Sequence, residues 1–364
     1  MRFPGFEGDW EQHLLSEYLD FKNGLNPSAK SFGEGIKFIS VMDILNNPFI
    51  TYDCIRASVN ATEKEKQEFN VEYGDILFQR SSETLEDVGH ANVYLDSRTA
   101  LFGGFTIRGK KKGAYNPLFF KYLLDSPTAR KKVIVKGAGA QHFNIGQEGL
   151  SKVVLSFPSI QEQNRIAVFM NLLDQRIAIQ NKVIEQYQSL IRAITHTFFN
   201  SKSDYPRVPL SDLSPNIASG KSKLALGPFP LYGSTGIIGT CTSGIYKGEM
   251  ILVARVGSIG QIQLINTGGC GITDNTLIVN SGELNHYVYF YLKSFDFQKI
   301  TSGTTQPLIT GSSLKAINVP VLPFQERDSF IKLLAAIEQR ITLEQTILQQ
   351  YLKTKSFFLT SLFV

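Results

Sequence analysis

Two matching stretches decide the fold of this chain: Leu173-Asp174-Gln175-Arg176-Ile177 and, 164 positions later, Ile337-Glu338-Gln339-Arg340-Ile341. The match continues at the same offset on both sides. Ile160-Gln161-Glu162-Gln163 corresponds to Phe324-Gln325-Glu326-Arg327, and Glu185-Gln186-Tyr187 corresponds to Gln349-Gln350-Tyr351. Self-similarity over this distance indicates a duplicated unit of domain size rather than a short solenoid repeat. The sequence therefore predicts two like halves.

Apolar residues recur within both copies in alternating steps of four and three, and neither copy contains Pro or Gly. This heptad pattern predicts a coiled coil, whereas two unrelated amphipathic helices would not match residue for residue. A polar residue interrupts both seams at one place, Gln180 and Glu344, where it would fix the register. The predicted seam consists of Met170, Leu173, Ile177, Ile184 and Tyr187 in the first helix and Leu334, Ile337, Ile341, Leu348 and Tyr351 in the second.

Each predicted helix follows a stretch whose pattern indicates a mixed α/β domain, which we call a head. We therefore expect an α+β fold with a pseudo-twofold internal repeat: a first head at residues 1–157, a first spacer helix at 158–200, a second head at 201–321 and a second spacer helix at 322–364. The two helices of one chain would pair antiparallel, and a helix of roughly 55 Å would act as a ruler. Strands are predicted at residues 75–78, 132–135, 249–253 and 276–279.

The composition bounds the function without deciding it. With 43% hydrophobic residues and 26 Phe in 364 residues, the chain can build buried cores. The net charge of +5 is compatible with a polyanionic partner. Cys54, Cys241 and Cys270 lie far apart, and the five His residues have no metal-ligand spacing, so we expect no metal site. No apolar run reaches the length of a membrane span, so we expect a soluble, cytoplasmic protein.

Several further strings accompany the repeated helices. They are Arg2-Phe3-Pro4-Gly5-Phe6-Glu7-Gly8-Asp9-Trp10, Leu231-Tyr232-Gly233-Ser234-Thr235-Gly236-Ile237-Ile238-Gly239, Ala254-Arg255-Val256-Gly257-Ser258-Ile259-Gly260 and Thr304-Thr305-Gln306-Pro307. Together with the Pro-x-x-Gln-Glu start of each helix, they resemble the specificity (S) subunits of type I restriction-modification systems over essentially the whole chain. The chain departs from the pattern at the second helix, where Arg327 replaces Gln and Pro323 is displaced by one position relative to Pro158.

The resemblance implies a protein without catalysis of its own. Each head would be a target recognition domain that reads one half of a split double-stranded DNA sequence. The helices would fix the unread gap and dock methyltransferase (M) subunits, two in number, with restriction (R) subunits as further partners. S-adenosylmethionine, ATP and Mg would belong to those partners, and the assembled complex would be an adenine methyltransferase and ATP-dependent endonuclease.

No enzyme motif in the sequence opposes this interpretation. Gly220-Lys221-Ser222 lacks the Gly that a Walker A loop needs five positions before Gly220, since Pro215 stands there. Asn46-Asn47-Pro48-Phe49 does not satisfy the Asn-Pro-Pro-Phe/Tyr signature of the methyltransferases. The alternative from a different class is a symmetric coiled-coil scaffold, or an orphan S-like protein, that does not bind DNA.

Candidate DNA contacts follow from side-chain chemistry, because Lys and Arg neutralise phosphates whereas Arg and Gln pair with guanine and adenine edges. A phosphate-binding rim is predicted at Arg108, Lys110, Lys111 and Lys112, with a second basic run at Arg130, Lys131, Lys132 and Lys136. Polar residues on Gly-rich loops are predicted to read bases: Gln79, Arg80, Ser81, Gln141 and His142 in the first head, and Tyr232, Ser234, Arg255, Ser258, Thr304, Thr305 and Gln306 in the second. Each of these residues could instead only shape a turn or a solvated loop.

Overall fold

The computed structural model describes residues 2–139, 142–200, 205–303 and 307–363. The chain divides into two compact units. The first consists of Met1–Gln180 and Ile347–Val364, and the second consists of Asn181–Thr346. Each unit contains one mixed head and a part of each long helix, so the α+β class expected from the sequence is confirmed.

The first unit contains a four-stranded antiparallel sheet in the order β2-β10-β6-β8 and a second sheet in the order β4-β3-β9-β5. Its strands are β1 (Glu11–Leu14), β2 (Leu19–Asn23), β3 (Phe32–Ile39), β4 (Ala57–Val59), β5 (Asn70–Val71), β6 (Ile76–Gln79), β7 (Ser81–Ser82), β8 (Ala91–Val93), β9 (Ala100–Phe102), β10 (Thr106–Lys111), β11 (Phe143–Asn144) and β12 (Val154–Phe157). Its helices are α1 (Leu15–Tyr18), α2 (Val41–Asn46), α3 (Glu63–Glu68), α4 (Pro117–Asp125), α5 (Pro127–Ile134), α6 (Gln147–Ser151) and the first part of α7 (Ile160–Asn200).

The core of the first head lies between the β2-β10-β6-β8 sheet and the pair α4–α5. Phe78 and Ile107 from the sheet pack in one cluster with Phe119 and Phe120 of α4, and all four are fully buried. The expected strand at residues 76–78 is confirmed as part of β6. The strand expected at 132–135 is wrong, because these residues end helix α5.

The second unit contains a six-stranded sheet in the order β14-β19-β17-β18-β15-β16. Its strands are β13 (Arg207–Pro209), β14 (Ala218–Ser219), β15 (Phe229–Gly233), β16 (Gly236–Cys241), β17 (Tyr246–Ala254), β18 (Ile262–Ile272), β19 (Thr276–Val279), β20 (Thr301–Ser302), β21 (Leu308–Ile309) and β22 (Asn318–Pro320). Its helices are α8 (Leu210–Leu213), α9 (Asn285–Ser294), α10 (Gly311–Lys315) and α11 (Phe324–Ser361), of which the last part belongs to the first unit. The strands expected at 249–253 and 276–279 are confirmed.

The two heads share more architecture than their sequences indicate. The strand order β2-β10-β6-β8 of the first head recurs as β14-β19-β17-β18 in the second. Helices α6 and α10 stand 164 residues apart, each with one fully buried leucine, Leu150 and Leu314. In each unit the first short helix is attached alike: Leu15 N donates to the carbonyl of residue 153 over 2.9 Å, and Leu210 N donates to the carbonyl of residue 317 over 2.7 Å.

The long helices pack against each other within each unit. In the first unit, Phe169 of α7 meets Phe358 of α11 edge to face at 4.8 Å, and Asp174 forms an ion pair with Lys355 at 2.6 Å. The residue numbers rise along α7 while they fall along α11, so the helices are antiparallel there. In the second unit, Phe198 near the end of α7 stacks on Phe330 near the start of α11 with ring centroids 3.7 Å apart.

Burial along both helices follows the heptad pattern. The structure buries Met170, Leu173, Ile184, Leu334 and Ile337 and half-buries Ile177, Tyr187, Ile341, Leu348 and Tyr351. The two polar seam residues, Gln180 and Glu344, are also buried, and Arg340 forms an ion pair with Glu344. At the displaced start of α11, Arg327 N donates to Pro323 O over 3.1 Å, which matches the bond from Gln163 N to Ser159 O at 3.0 Å. The substitution of Arg for Gln therefore leaves the helix start unchanged.

Candidate nucleic-acid interface

Main-chain hydrogen bonds in the first unit fix the residue that directly follows strand β6. Arg80 N donates to Phe105 O over 2.9 Å, and Arg80 O accepts from Ile145 N over 2.9 Å. Phe105 is the third residue of a β-turn at 103–106, which is closed by a 2.9 Å bond between the main chains of its last and first residues. We call this arrangement of Arg80, the turn and Ile145 the Arg80 frame.

The second unit contains the same arrangement after strand β17. Arg255 N donates to Asn275 O over 3.0 Å, and Arg255 O accepts from Ile309 N over 3.0 Å. Asn275 is the third residue of a turn at 273–276, which is closed by a 3.3 Å main-chain bond. We call this arrangement the Arg255 frame.

A glycine packs against the turn in both frames. Gly24 N donates to Thr106 O over 3.2 Å, and Gly220 N donates to Thr276 O over 3.0 Å. A Cβ atom on Gly24 would lie 2.0 Å from Gly103 O, and one on Gly220 would lie 2.2 Å from the carbonyl oxygen of residue 272. Because neither position has room for a side chain, the frames share a constraint on residue type as well as their hydrogen bonds.

The side chain at the tip of the turn differs between the two frames. Phe105 is 71% exposed in the first, whereas an exposed Asn275 occupies the matching position in the second. Apolar contact suits a thymine methyl group, whereas an amide suits the polar edge of adenine. The two heads thus carry one backbone frame with chemically different surfaces.

The second-head candidates gather around the Arg255 frame. Ser234 Oγ lies 3.1 Å from Val256 O and 3.3 Å from Asn275 O, and Tyr232 O accepts from the main chain of residue 273 over 3.0 Å. Ser258 is exposed in the loop after Arg255. The Arg255 side chain is half-buried, and its Nε has no hydrogen-bond partner among the described residues. Thr304, Thr305 and Gln306 lie outside the described residues.

The first-head candidates divide between the interior and the surface. Gln79 is buried and its Nε2 donates to Ser81 O over 2.9 Å, so the Gln79 side chain supports the loop from inside. Ser81 Oγ donates to Asn144 Oδ1, while His142 is exposed. Arg80 is half-buried, with Nη1 3.3 Å from Gly104 O. Gln141 lies outside the described residues.

The basic residues at the end of β10 lie away from the Arg80 frame. Strand β10 starts at the turn of that frame, so Lys110, Lys111 and Lys112 follow at its opposite end. Lys110 lies 3.5 Å from Glu72, Lys111 donates to Tyr115 O over 3.2 Å, and Lys112 is exposed. The predicted phosphate rim and the predicted base-reading loop are therefore separated by the length of the strand.

Arg108 is buried and does not belong to an exposed rim. Its Nη1 donates to the Asn70 main-chain oxygen and, over 3.0 Å, to Asn70 Oδ1, and its guanidinium lies 5.2 Å from the centre of the Phe102 ring. Burial lowers the pKa of Arg108. The expectation of a phosphate contact here is corrected, because β10 is covered by β2 and β6 on its two edges and by core residues at this point.

A tyrosine from each head binds a carboxylate of the repeated helix motif, a contact that the sequence pattern alone does not predict. Tyr122 of α4 donates to Asp174 Oδ2 over 2.8 Å, and Tyr289 of α9 donates to Glu338 Oε1 over 2.8 Å. Burial raises the pKa of both phenols, which therefore remain protonated donors. Asp174 and Glu338 occupy matching positions of the repeat, 164 residues apart, so the repeat indicates that these two carboxylates have the same role. We call these contacts the tyrosine anchors.

Two general features of the described ranges bear on ligands. Across residues 2–139, 142–200, 205–303 and 307–363, no three His, Cys, Asp or Glu side chains come together as metal ligands. In the same ranges, no helix is both long enough and apolar enough to cross a bilayer.

The profile of the family described as type I restriction modification DNA specificity domain matches residues 7–188 and 200–352. The chain belongs to this family. The specificity domain occurs twice, in agreement with the internal repeat, and the specificity subunits of type I systems are the non-catalytic component, so the chain is not an enzyme.

Relatives of known sequence and structure agree with the family. The protein assigned as type I restriction enzyme MjaX specificity subunit from Methanocaldococcus jannaschii is 23% identical over 95% of this chain and 91% of its own length. The type I S subunit from M. genitalium has a similar structure, with a TM-score of 0.63 at 16% identity over 98% of this chain and 96% of that one. A chain from a structure described as the basis of complex assembly and conformational transition of the type I restriction-modification system has a TM-score of 0.58 at 13% identity over 97% of both chains.

Proposed function

We propose that this chain is the DNA-recognition subunit of a type I restriction-modification complex and that each head reads one half of a two-part target. The observation that carries the proposal is the pair of matching frames, Arg80 and Arg255, with different residues at their tips. A common backbone frame supports the same mode of approach to DNA in both heads. Different tip residues support different base preferences.

The extent of the recognition domains is part of this proposal. We assign residues 1–157 and 201–321 to the two target recognition domains and the helices α7 and α11 to the spacer. Arg80, Arg255 and Ser258 are proposed to face bases. The turn residue Asn275 joins them because it occupies the tip of its frame.

Phosphate contacts are proposed near the frame rather than on strand β10. Lys131 and Lys136 are exposed. Lys136 and Ile145 both border Gly149, because a Cβ atom on Gly149 would lie 3.3 Å from Lys136 and 3.7 Å from Ile145. These two lysines would neutralise phosphates next to the bases that the Arg80 frame reads.

The partner subunits are proposed to dock on exposed faces of the long helices. Val168, Leu172 and Ile179 are each more than half exposed, and their spacing places them along one face of α7. An apolar stripe of this kind on a long helix favours a protein partner. We assign it to an M subunit, and the repeat suggests a second M subunit on the other half. ATP, Mg and S-adenosylmethionine would then bind to the partners.

Mapping of methylated adenines tests the proposal. The chain is co-expressed with the methyltransferase subunit encoded beside it, and modified positions are mapped across the host genome. We expect a two-part motif with a constant unread gap. A continuous motif would show that the heads do not read separate halves, and a soluble complex that adds no methylation would favour a scaffold.

A further inference from the structure

The surface beside the Arg80 frame is apolar, which is unusual for a loop proposed to face DNA. Phe105 projects from the turn, and Met42 and Phe32 are also well exposed, at 59% and 46%. They border a hollow whose apolar walls are Leu25, Phe32, Phe38, Val41, Met42 and Phe105. Phe32 meets Phe38 edge to face with ring centroids 5.5 Å apart, which fixes one wall.

The second head has polar residues at the positions that match Val41, Met42 and Phe105. The strand that precedes the hollow ends alike in both heads, since Ile39 O accepts from the main chain of residue 103 over 3.0 Å and Tyr232 O accepts from that of residue 273 over 3.0 Å. After this strand the first head continues with Val41 and Met42, and the second with Ser234 and Thr235. The substitution of Phe105 by Asn275 follows the same trend. Beyond this point the backbones differ as well, because Val41 starts helix α2 whereas Ser234 and Thr235 lead into strand β16.

We infer that Phe105 and the hollow beside it read the methyl group of a thymine in the first half of the target. The inference rests on the proposed function and names a chemical feature of its substrate. Of the groups that base pairs present in the major groove, the thymine methyl is the apolar one, and contact with an apolar side chain such as Phe is how proteins recognise it. Continuity with the Arg80 frame places this surface next to a base reader: Arg80 bonds to the main chains of Gly104 and Phe105.

The test removes only the methyl group from the DNA. Duplexes carrying the mapped target are made with each thymine of the first half replaced in turn by deoxyuridine, and their binding to the complex of this chain with its methyltransferase subunit is measured by competition. We expect one position at which deoxyuridine weakens binding by about four-fold, which corresponds to burial of about one methyl group. Phe105→Ala should bind both duplexes equally at that position.

Two matched variants keep the result interpretable. Asn275→Ala, at the same place in the second head, should lower affinity for all these duplexes alike and leave the ratio between thymine and deoxyuridine duplexes unchanged. Phe105→Leu retains an apolar side chain and should retain part of the preference. Since Phe105 is largely exposed, neither Phe105→Ala nor Phe105→Leu should unfold the head.

Three outcomes would overturn the inference. They are a first half without thymine on either strand, a deoxyuridine effect that survives Phe105→Ala, and a Phe105→Ala complex that loses its methyltransferase subunit while its thymine preference stays intact. The last outcome would make the hollow a protein-binding surface. Failure of the unaltered complex to bind any duplex would instead count against the proposed function, so the two failures are distinguishable.

Discussion

Arg80 and Arg255 are held at equivalent places by hydrogen bonds of their main chains, and both side chains remain half-buried rather than fully enclosed. We expect Arg255→Ala to weaken discrimination at one base pair of the second half-site by about 1–3 kcal/mol, the worth of a bidentate contact to guanine. Competition binding with duplexes altered one base pair at a time measures this loss. Lys131→Ala is the control, because loss of a phosphate contact should lower affinity evenly for all sequences. An even loss in Arg255→Ala would contradict base reading.

Arg108 makes the opposite kind of contribution, to stability rather than to recognition. Its guanidinium is buried against Asn70 and Phe102. We expect Arg108→Ala to lower the free energy of unfolding by about 1–3 kcal/mol, because the Asn70 oxygens lose their donor and the packing against the Phe102 ring is lost. Urea unfolding of the co-expressed complex measures the change, with the exposed Lys112→Ala as the matched control at less than about 0.5 kcal/mol. An equal and negligible effect of both changes would show that the burial of Arg108 is not stabilising.

Residue-level prediction from the sequence succeeded where the signal was local and missed what depends on folding. Arg80 and Arg255 were identified because each follows a recognisable strand and precedes a polar or Gly-containing loop. Phe105 and Asn275 were missed because their equivalence exists only through hydrogen bonds from those arginines. The offset between matching residues falls from 175 at the arginines to 170 at the turns and 164 at Ile145 and Ile309, so the frames do not align by eye.

At the element scale, the tyrosine anchors attach a helix of each head to a long helix. We expect the double variant Tyr122→Phe, Tyr289→Phe to discriminate less between gap lengths. The ratio of its affinity for a gap one base pair too short or too long to its affinity for the correct gap should rise several-fold. The reason is that loss of both hydroxyl groups loosens the attachment of the heads. Binding to duplexes of different gap length measures the ratio. Asp328→Asn is the control, since Asp328 forms an ion pair with Lys332 on the same helix.

An unchanged preference for one gap length in the double variant would contradict a positioning role for the anchors. In that case the hydroxyl groups would contribute to stability alone, and the variant should show only a lower midpoint of thermal unfolding.

The elements themselves were predictable to different degrees for physical reasons. The long helices are predictable from the sequence because a heptad pattern that continues over many turns fits no other regular structure. Strands β6, β17 and β19 were found because short apolar runs lay between turn-forming residues. Residues 132–135 were misassigned because four residues are too few to show a period. The decisive signal lay upstream, where Ser126 Oγ accepts from Ala129 N over 3.2 Å and Pro127 occupies the first turn of α5.

At the scale of the whole molecule, assembly with the methyltransferase subunit should depend on the exposed stripe of α7. We expect Val168→Gln with Leu172→Gln to reduce co-purification of that subunit by tenfold or more, on the order of 1.4 kcal/mol, because the stripe loses apolar area. Helix content by circular dichroism should not change. Lys131→Ala, exposed on α5, is the control. Full assembly of the double variant would place the docking surface elsewhere.

Binding to DNA by the assembled complex should be strongly salt-dependent. Because phosphates are neutralised by lysine and arginine, we expect affinity to fall by about a thousandfold or more between about 50 and 200 mM salt. Titration of a labelled duplex at a series of salt concentrations measures the slope. The combined variant Lys131→Ala, Lys136→Ala should show a smaller slope than the unaltered complex. A slope near zero would indicate that the heads do not hold DNA through its backbone.

The matching turns have a consequence for how such a protein changes over time. Their shape is set by main-chain bonds and by the small size of Gly24 and Gly220, so the residue at the tip contributes little to folding. A phenylalanine and an asparagine already occupy that position within one molecule. New target preferences can therefore arise by replacement of a few exposed side chains, in either head alone, while stability and assembly are inherited intact.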